Sequence, residues 1–182
     1  MSAVFNTVSK LSRGYDLEEV ADFFANARAA YDDRTVNFGA NQVRSATFRL
    51  VRGGYAVAEV DQALERMEIA FFSRERTEFI ELQGKKAWFE ATSAKAKTLY
   101  GRLLRPAGGR FDRPPAGQQG YRASEVDAVL DRLTGYFNQG EALTSHELRT
   151  TLFRSARGKR AYNEAQVDAF IRRAVEVLLA VE

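Results

Sequence analysis

The chain has 182 residues, 45% of them hydrophobic and 28% charged, with 27 Lys and Arg against 24 Asp and Glu. That length holds one ordinary domain or two small ones, and the balance is that of a folded globular chain, not of a disordered one. The absence of cysteine excludes disulfides, thiol catalysis and thiolate metal sites, and a formal charge of +3 suits an anionic partner, lipid or nucleic acid, without demanding one.

Met1-Ser2-Ala3-Val4-Phe5 has no basic region followed by an apolar run, so it does not read as a secretory signal. No apolar run approaches the ~20 residues of a membrane span. The expectation is a cytoplasmic protein whose membrane contact, if it has any, is peripheral. Phe5, Val8 and Leu11 have helical spacing and predict a short helix that ends in Ser12-Arg13-Gly14. Asp16 with Glu19 three residues on reads as a capping box, opening a helix that runs to about Arg34. Its apolar residues Val20, Phe24, Ala27 and Tyr31 fall at i, i+4, i+7 and i+11, one helical face. A polar link from Asp32 to Asn41 precedes a second short helix, predicted over 42–52, and a glycine turn at Gly53-Gly54. The next long helix breaks at Gly84, because glycine costs about 1 kcal/mol in a helix interior, so the spacing predicts helices over 57–82 and 85–104, the second folding back.

Pro106 to Gly120 holds all three prolines and a cluster of glycines, and reads as a mobile linker. The helix after Tyr121 carries Val126, Leu130, Leu133 and Phe137 on one face. Residues 148–154 repeat the pattern of 43–49, and Asn163 with Gln166 reads as a second capping box. The last helix carries Val167, Ile171, Ala174 and Leu178.

One unit thus recurs four times. Tyr15, Tyr55, Tyr121 and Tyr162 each precede a valine (Val20, Val60, Val126, Val167) by five residues. Glu19, Glu59, Glu125 or Gln166 stands directly before the valine. Asp61, Asp127 and Asp168 stand directly after it in three copies, and Ala21 in the first. Glycine precedes the tyrosine at Gly14, Gly54 and Gly120. Tyr15 and Tyr55 are 40 residues apart, and Tyr121 and Tyr162 are 41 apart. The copies therefore read as pairs, 1 with 2 and 3 with 4. Phe5 and Phe111 each stand ten residues before their tyrosine, and copies 2 and 4 share an Arg-x-x-x-Phe-Arg approach.

Arg13-Gly14-Tyr15-Asp16, followed by Glu18-Glu19-Val20, Asp22 and Phe23-Phe24, resembles the amino-terminal signature of the DivIVA family of bacterial cell-division and pole proteins. The chain as a whole resembles the family's multi-repeat branch. The resemblance implies a non-catalytic interaction or scaffold protein acting in cell division, septum placement or polar growth, with other division or pole proteins as partners. It also implies a loop tip where an exposed apolar residue beside a basic one enters the membrane. Ser12 stands where the family has its aromatic, with Leu11 one position earlier, so only weak binding to anionic membrane is expected. The long carboxy-terminal coiled coil of the family is not in this sequence.

The fold expected is all-α: four helix-loop-helix repeats, arranged as two intramolecular pseudo-dimers, packed as a helical bundle. Repeats 1 and 2 with the helical extension would fill 1–105, the linker 106–120, and repeats 3 and 4 residues 121–182, the halves packed as one unit. The motif residues Gly14, Tyr15, Val20, Gly54, Tyr55, Val60, Asp61, Gly120, Tyr121, Val126, Asp127, Tyr162, Val167 and Asp168 are expected to be structural. The aspartates lie where the helix dipole favours negative charge, and a loop arginine such as Arg13 or Arg52 is a second explanation for them. Leu11, Arg13, Val51, Arg52, Arg154, Arg157, Lys159 and Arg160 are the candidate membrane or partner contacts. His146 stands alone, no glycine segment carries the Lys-Ser/Thr of a phosphate loop, and no carboxylate pair has acid–base spacing, so no catalysis, cofactor or metal is expected. The alternative reading is a small basic helical protein that binds nucleic acid or regulates. A homo-oligomer remains open under either.

Overall fold

The structure, a computed structural model, describes residues 5–33 and 37–182. The expectations for Met1–Val4, and for the end of the first helix at Arg34, lie outside the described residues.

The elements in chain order are β1 (Arg13–Tyr15), α1 (Leu17–Asp32), α2 (Ala40–Arg44), β2 (Leu50–Arg52), α3 (Val57–Leu103), β3 (Gln119–Arg122), α4 (Ala123–Gln139), α5 (Ser145–Arg149), β4 (Ser155–Arg157), β5 (Ala161–Tyr162) and α6 (Glu164–Leu179). About 62% of the chain is helical, but two small antiparallel sheets, β1-β2 and β4-β3-β5, make this a mixed α/β fold. The all-α helical bundle expected from the stripes is therefore wrong. The segments read as approach helices are largely extended. Thr7 sits in a bridge with Tyr55, not in a helix. The helix expected over 42–52 is only Ala40–Arg44, followed by strand β2, and its counterpart ends at Arg149 before β4. Backbone N–H and C=O groups in these short segments need partners once buried. Two tyrosine segments laid antiparallel supply them: the Tyr15 amide donates to the Tyr55 carbonyl at 2.9 Å, and the Tyr55 amide returns the bond at 2.8 Å. Helical periodicity in a six-residue window cannot report such a remote exchange.

The chain divides into two compact units, Met1–Leu82 and Gln83–Glu182. The division falls at Gly84, whose φ of 88° and ψ of 159° interrupt α3. The helical extension after Gly84 thus belongs with copies 3 and 4, not with copies 1 and 2. The Pro/Gly segment 106–120 does not separate the units, and it is anchored, with Arg110 and Phe111 buried in the second unit.

In the first unit, Val20 and Val60 meet in one apolar cluster with Phe5 and Ala63, flanked by Tyr15, Phe24, Phe48, Tyr55 and Leu64. Tyr31 lies edge-on to Phe71 with ring centroids 5.2 Å apart. Each of these pairs is offset by 40 residues, so α1 and the first part of α3 run side by side in the same direction. In the second unit the stripes of α4 and α6 are buried, with Val126, Leu130, Leu133, Val167, Ala174 and Leu178 fully enclosed. The part of α3 after Gly84 lies against them: the Trp88 indole donates to the Ala180 carbonyl, and Leu99 and Leu103 are buried. The short helices α2 and α5 are fixed alike, the Ala40 amide donating to Glu75 and the Ser145 amide and hydroxyl to Glu182, both at helix N-termini where a carboxylate is favoured.

Candidate partner-contact site

Each copy begins with a residue pair that single-copy inspection does not single out: Phe5-Asn6, Phe48-Arg49, Phe111-Asp112 and Phe153-Arg154. The phenylalanine rests on the tyrosine of the other copy in its pair. Ring centroids are 5.5 Å apart for Phe5 and Tyr55, 5.3 Å for Phe48 and Tyr15, 5.4 Å for Phe111 and Tyr162, and 5.2 Å for Phe153 and Tyr121. The next residue is clamped by the carboxylate or amide before the valine, again in the other copy. Glu19 accepts from the Arg49 amide and guanidinium, Glu59 from the Asn6 amide and side chain, and Glu125 from the Arg154 amide and guanidinium. In the fourth copy the chemistry reverses, because the clamped residue is Asp112. Gln166 accepts from its amide and donates to its carboxylate at 2.7 Å, which a glutamate could not do. The carbonyl of each clamped residue then accepts from the residue after the opposing tyrosine (Asp16, Ala56, Arg122, Asn163).

Asp16 caps α1 as expected, accepting from Glu18 and Glu19, and Asn163 caps α6. The reciprocal halves of both capping boxes are absent, since Glu19 and Gln166 reach across to the other copy instead. These bonds hold Glu19, Glu59 and Glu125 below the usual carboxylate range, the leading cause being the Arg49 amide, the Asn6 side chain and the Arg154 amide respectively.

The aspartates after the valines meet tyrosines of the opposite copy, not the loop arginines Arg13 or Arg52. The Tyr162 hydroxyl donates to Asp127 at 2.9 Å, and accepts from the Arg110 amide. Asp127 also takes the Gly108 amide and lies 3.8 Å from the Arg110 guanidinium. Tyr15 bonds to Asp61 and Tyr121 to Asp168, and burial followed by these carboxylates pushes both phenols up. Burial also raises Asp61, against the lowering effect of the Tyr15 bond. Tyr55 is the exception, because the matching position is Ala21.

Gly14 and Gly54 face each other's backbone, and a β-carbon on either would overlap the Tyr55 or Tyr15 carbonyl. Gly120 stands likewise against the Tyr162 carbonyl, while Ala161 is tolerated in the fourth copy with no exposure.

All the motif side chains are thus spent joining copies, and the candidate contacts lie on what remains. In the first unit they come together: Arg13 pairs with Arg52 and Gly14 with Val51 across β1-β2, while Leu11 projects at 91% exposure. In the second unit Arg157, Lys159 and Arg160, joined by Arg122, line a cavity of about 510 Å³ at the start of α4. Arg154 is instead engaged by Glu125. Among the described residues no group of three or more His, Cys, Asp or Glu side chains gathers where a metal could sit, and no helix is long and apolar enough to cross a membrane. The clamp was readable in principle from one coincidence, that the only Gln before a motif valine is matched by the only acidic residue after an arm phenylalanine. Comparison with protein-family models, with curated proteins and with solved structures finds no match.

Proposed function

We propose that the chain is a non-catalytic, DivIVA-like interaction protein serving bacterial cell division, septum placement or polar growth, working at the inner face of the membrane with other division or pole proteins. The observation that carries this reading is where the motif goes. The tyrosine, the glutamate or glutamine and the valine of each copy, with the aspartate where there is one, are consumed in binding the other copy of its pair, which is the work of a scaffold and leaves none of them aimed at a substrate. What faces solvent is a tip where Leu11 stands beside Arg13 and Arg52. That combination of one exposed apolar side chain and neighbouring cations fits a bilayer surface or an acidic protein.

A fluorescent fusion in dividing cells tests the proposal. Foci at septa or poles are the expected result, and uniform fluorescence would overturn it. Nucleoid-associated fluorescence would favour the second reading, nucleic-acid binding, which the cation-lined cavity of Arg122, Arg157, Lys159 and Arg160 supports.

A further inference from the structure

The second unit departs from the first at the start of its first motif helix. In the first unit the residue after Tyr15 is Asp16. Its carboxylate accepts from the Glu18 and Glu19 amides at 3.0 and 3.1 Å and pairs with the Arg49 guanidinium at 3.2 Å. The positive end of α1 thus holds an anion that the chain itself supplies. In the second unit the residue after Tyr121 is Arg122, which makes no side-chain cap bond to the 17-residue α4, and Glu18 is replaced by Ser124. A cation stands at a helix end where negative charge is favoured.

The facing loop has changed with it. Phe48 and Phe153 are 105 residues apart, but Tyr55 and Tyr162 are 107 apart, so the fourth copy holds two more residues before its tyrosine. Gly53 and Gly158, with φ of 69° and 58°, mark the same turn, which makes the two extra residues Lys159 and Arg160. Both lie in a turn of 3-10 helix, Gly158–Arg160, between β4 and β5. With Arg157 they converge with Arg122 and the first turn of α4 on the cavity of about 510 Å³, where Ser124 and Ser155 add hydroxyls. Among the described residues no carboxylate pairs with Arg157, Lys159 or Arg160, and Arg122 has only Glu125, at 3.7 Å, which it shares with Arg154. The one acid of the lining, Asp127, is already answered by Tyr162, the Gly108 amide and Arg110. Four cations therefore line a concave site that holds no uncommitted anion of the chain's own.

We infer that this cavity is a binding site for a phosphomonoester. Such a group carries about 1.5 to 2 negative charges and three free acceptor oxygens, enough to meet several cations and the serine hydroxyls at once. A carboxylate or a nucleic-acid diester offers one charge and two oxygens. The volume lies in the range of about 300–1,000 Å³ usual for small-molecule sites. The inference does not rest on the septal reading, and it gives the cavity a different occupant from the nucleic-acid reading.

Inorganic phosphate, glycerol phosphate and its water-soluble dihexanoyl diester would be titrated calorimetrically into the full chain. Inorganic phosphate and glycerol phosphate are expected to bind saturably at one site per chain. Lys159→Gln combined with Arg160→Gln, both at exposed positions, should weaken binding at least tenfold with the unliganded melting midpoint unchanged. Arg122→Asp restores the cap of the first unit, and should abolish binding while the midpoint holds or rises, a pairing that loss of structure cannot give. It decides the matter if the double variant melts early. Equal affinity for glycerol phosphate and its diacylated form is the expected result and assigns a soluble ligand. Tighter binding of the acylated probe would assign a lipid headgroup, with the phosphate site upheld. Absence of saturation, or saturation indifferent to both variants, as for an adventitious ion only, would overturn the inference. So would a DNA fragment that binds through the same residues and is not displaced by glycerol phosphate. Uniform fluorescence of the fusion with intact phosphate binding would remove the septal reading and leave the site standing.

Discussion

Gly54, buried just before the Tyr55 bridge, and Gly101, exposed on α3, have surroundings that make opposite demands. A β-carbon on Gly54 would overlap Gly14 and Tyr15 backbone atoms, which cannot move without breaking the paired amides, whereas nothing lies within 4 Å of one on Gly101. Gly54→Ala should therefore lose stability, by about 1–3 kcal/mol as overpacking does. Gly101→Ala should gain about 0.5–1 kcal/mol from helix propensity. Urea denaturation of the two variants checks both signs. The tyrosines offer a second contrast. Tyr162→Phe strands the Arg110 amide and leaves Asp127 short of a donor, and should cost about 1–3 kcal/mol. Tyr55→Phe should cost little, because position 21 is alanine. Introducing Ala21→Asp should make Tyr55→Phe costly, and a double-mutant cycle between the two positions reads that coupling directly.

At the scale of elements, the clamps tie each approach segment to a helix of the other copy, and their ionisation sets how the fold responds to acid. Glu19, Glu59 and Glu125 have folded-state values below their unfolded ones. Their contribution is fully present above the unfolded value, about 4.3, and is lost as pH falls through the lowered folded values. Asp61 is raised and acts in the opposite sense, its protonation favouring the folded state as pH falls. With Glu147, held low chiefly by the Thr144 amide, four lowered carboxylates against one raised predict a melting midpoint that declines on acidification below about pH 4. Glu59→Gln keeps an oxygen for the Asn6 amide, and the Asn6 side chain can turn its own oxygen to the new amide. It should melt near the parent at neutral pH and decline less in acid, because the glutamine amide does not titrate. Thermal scans of parent and variant across pH 3–7 test this, and an unchanged slope would mean the Glu59 clamp carries no ionic component.

For the whole molecule, the boundary at Gly84 has a consequence for fragments. A chain of residues 83–182 retains the helix that buries Leu99 and Leu103 and bonds Trp88 to Ala180. It should unfold cooperatively. A chain of residues 106–182 strips that helix from the α4–α6 face and should be far less stable or fail to fold, which circular dichroism with thermal melting distinguishes. Vesicle binding belongs to this scale too. Leu11 is a single exposed aliphatic side chain in place of an aromatic wedge, with Arg13 and Arg52 beside it. Co-sedimentation with anionic vesicles should be weak at low salt and disappear at physiological salt, where charges more than about 8 Å apart are screened. Salt-resistant co-sedimentation would show that Leu11 inserts deeply enough to hold the chain by apolar burial alone.

By itself the sequence determined the fourfold repeat, the helical stripes that bury Val20, Val60, Val126 and Val167, the break at Gly84 and the cap at Asp16. Each depends on residues within a few turns of one another, where side-chain periodicity and local hydrogen bonds decide the outcome. The sheets, the division of the chain and the partners of the motif side chains were settled only by tertiary structure. Gly14 and Gly54 looked like turn glycines, but their smallness serves a backbone contact 40 residues away. Glu19 looked like half of a capping box, but Arg49, 30 residues on, offers two donors, its amide and its guanidinium, where the local cap offers one. Asp127 was read with the helix dipole, and its partners, Tyr162 on β5 and Gly108 and Arg110 in the loop before β3, come from two segments that only the folded chain brings to it. Side chains with more than one satisfactory partner are assigned by which of them the fold delivers with the backbone already paid for, and that depends on contacts no local window contains.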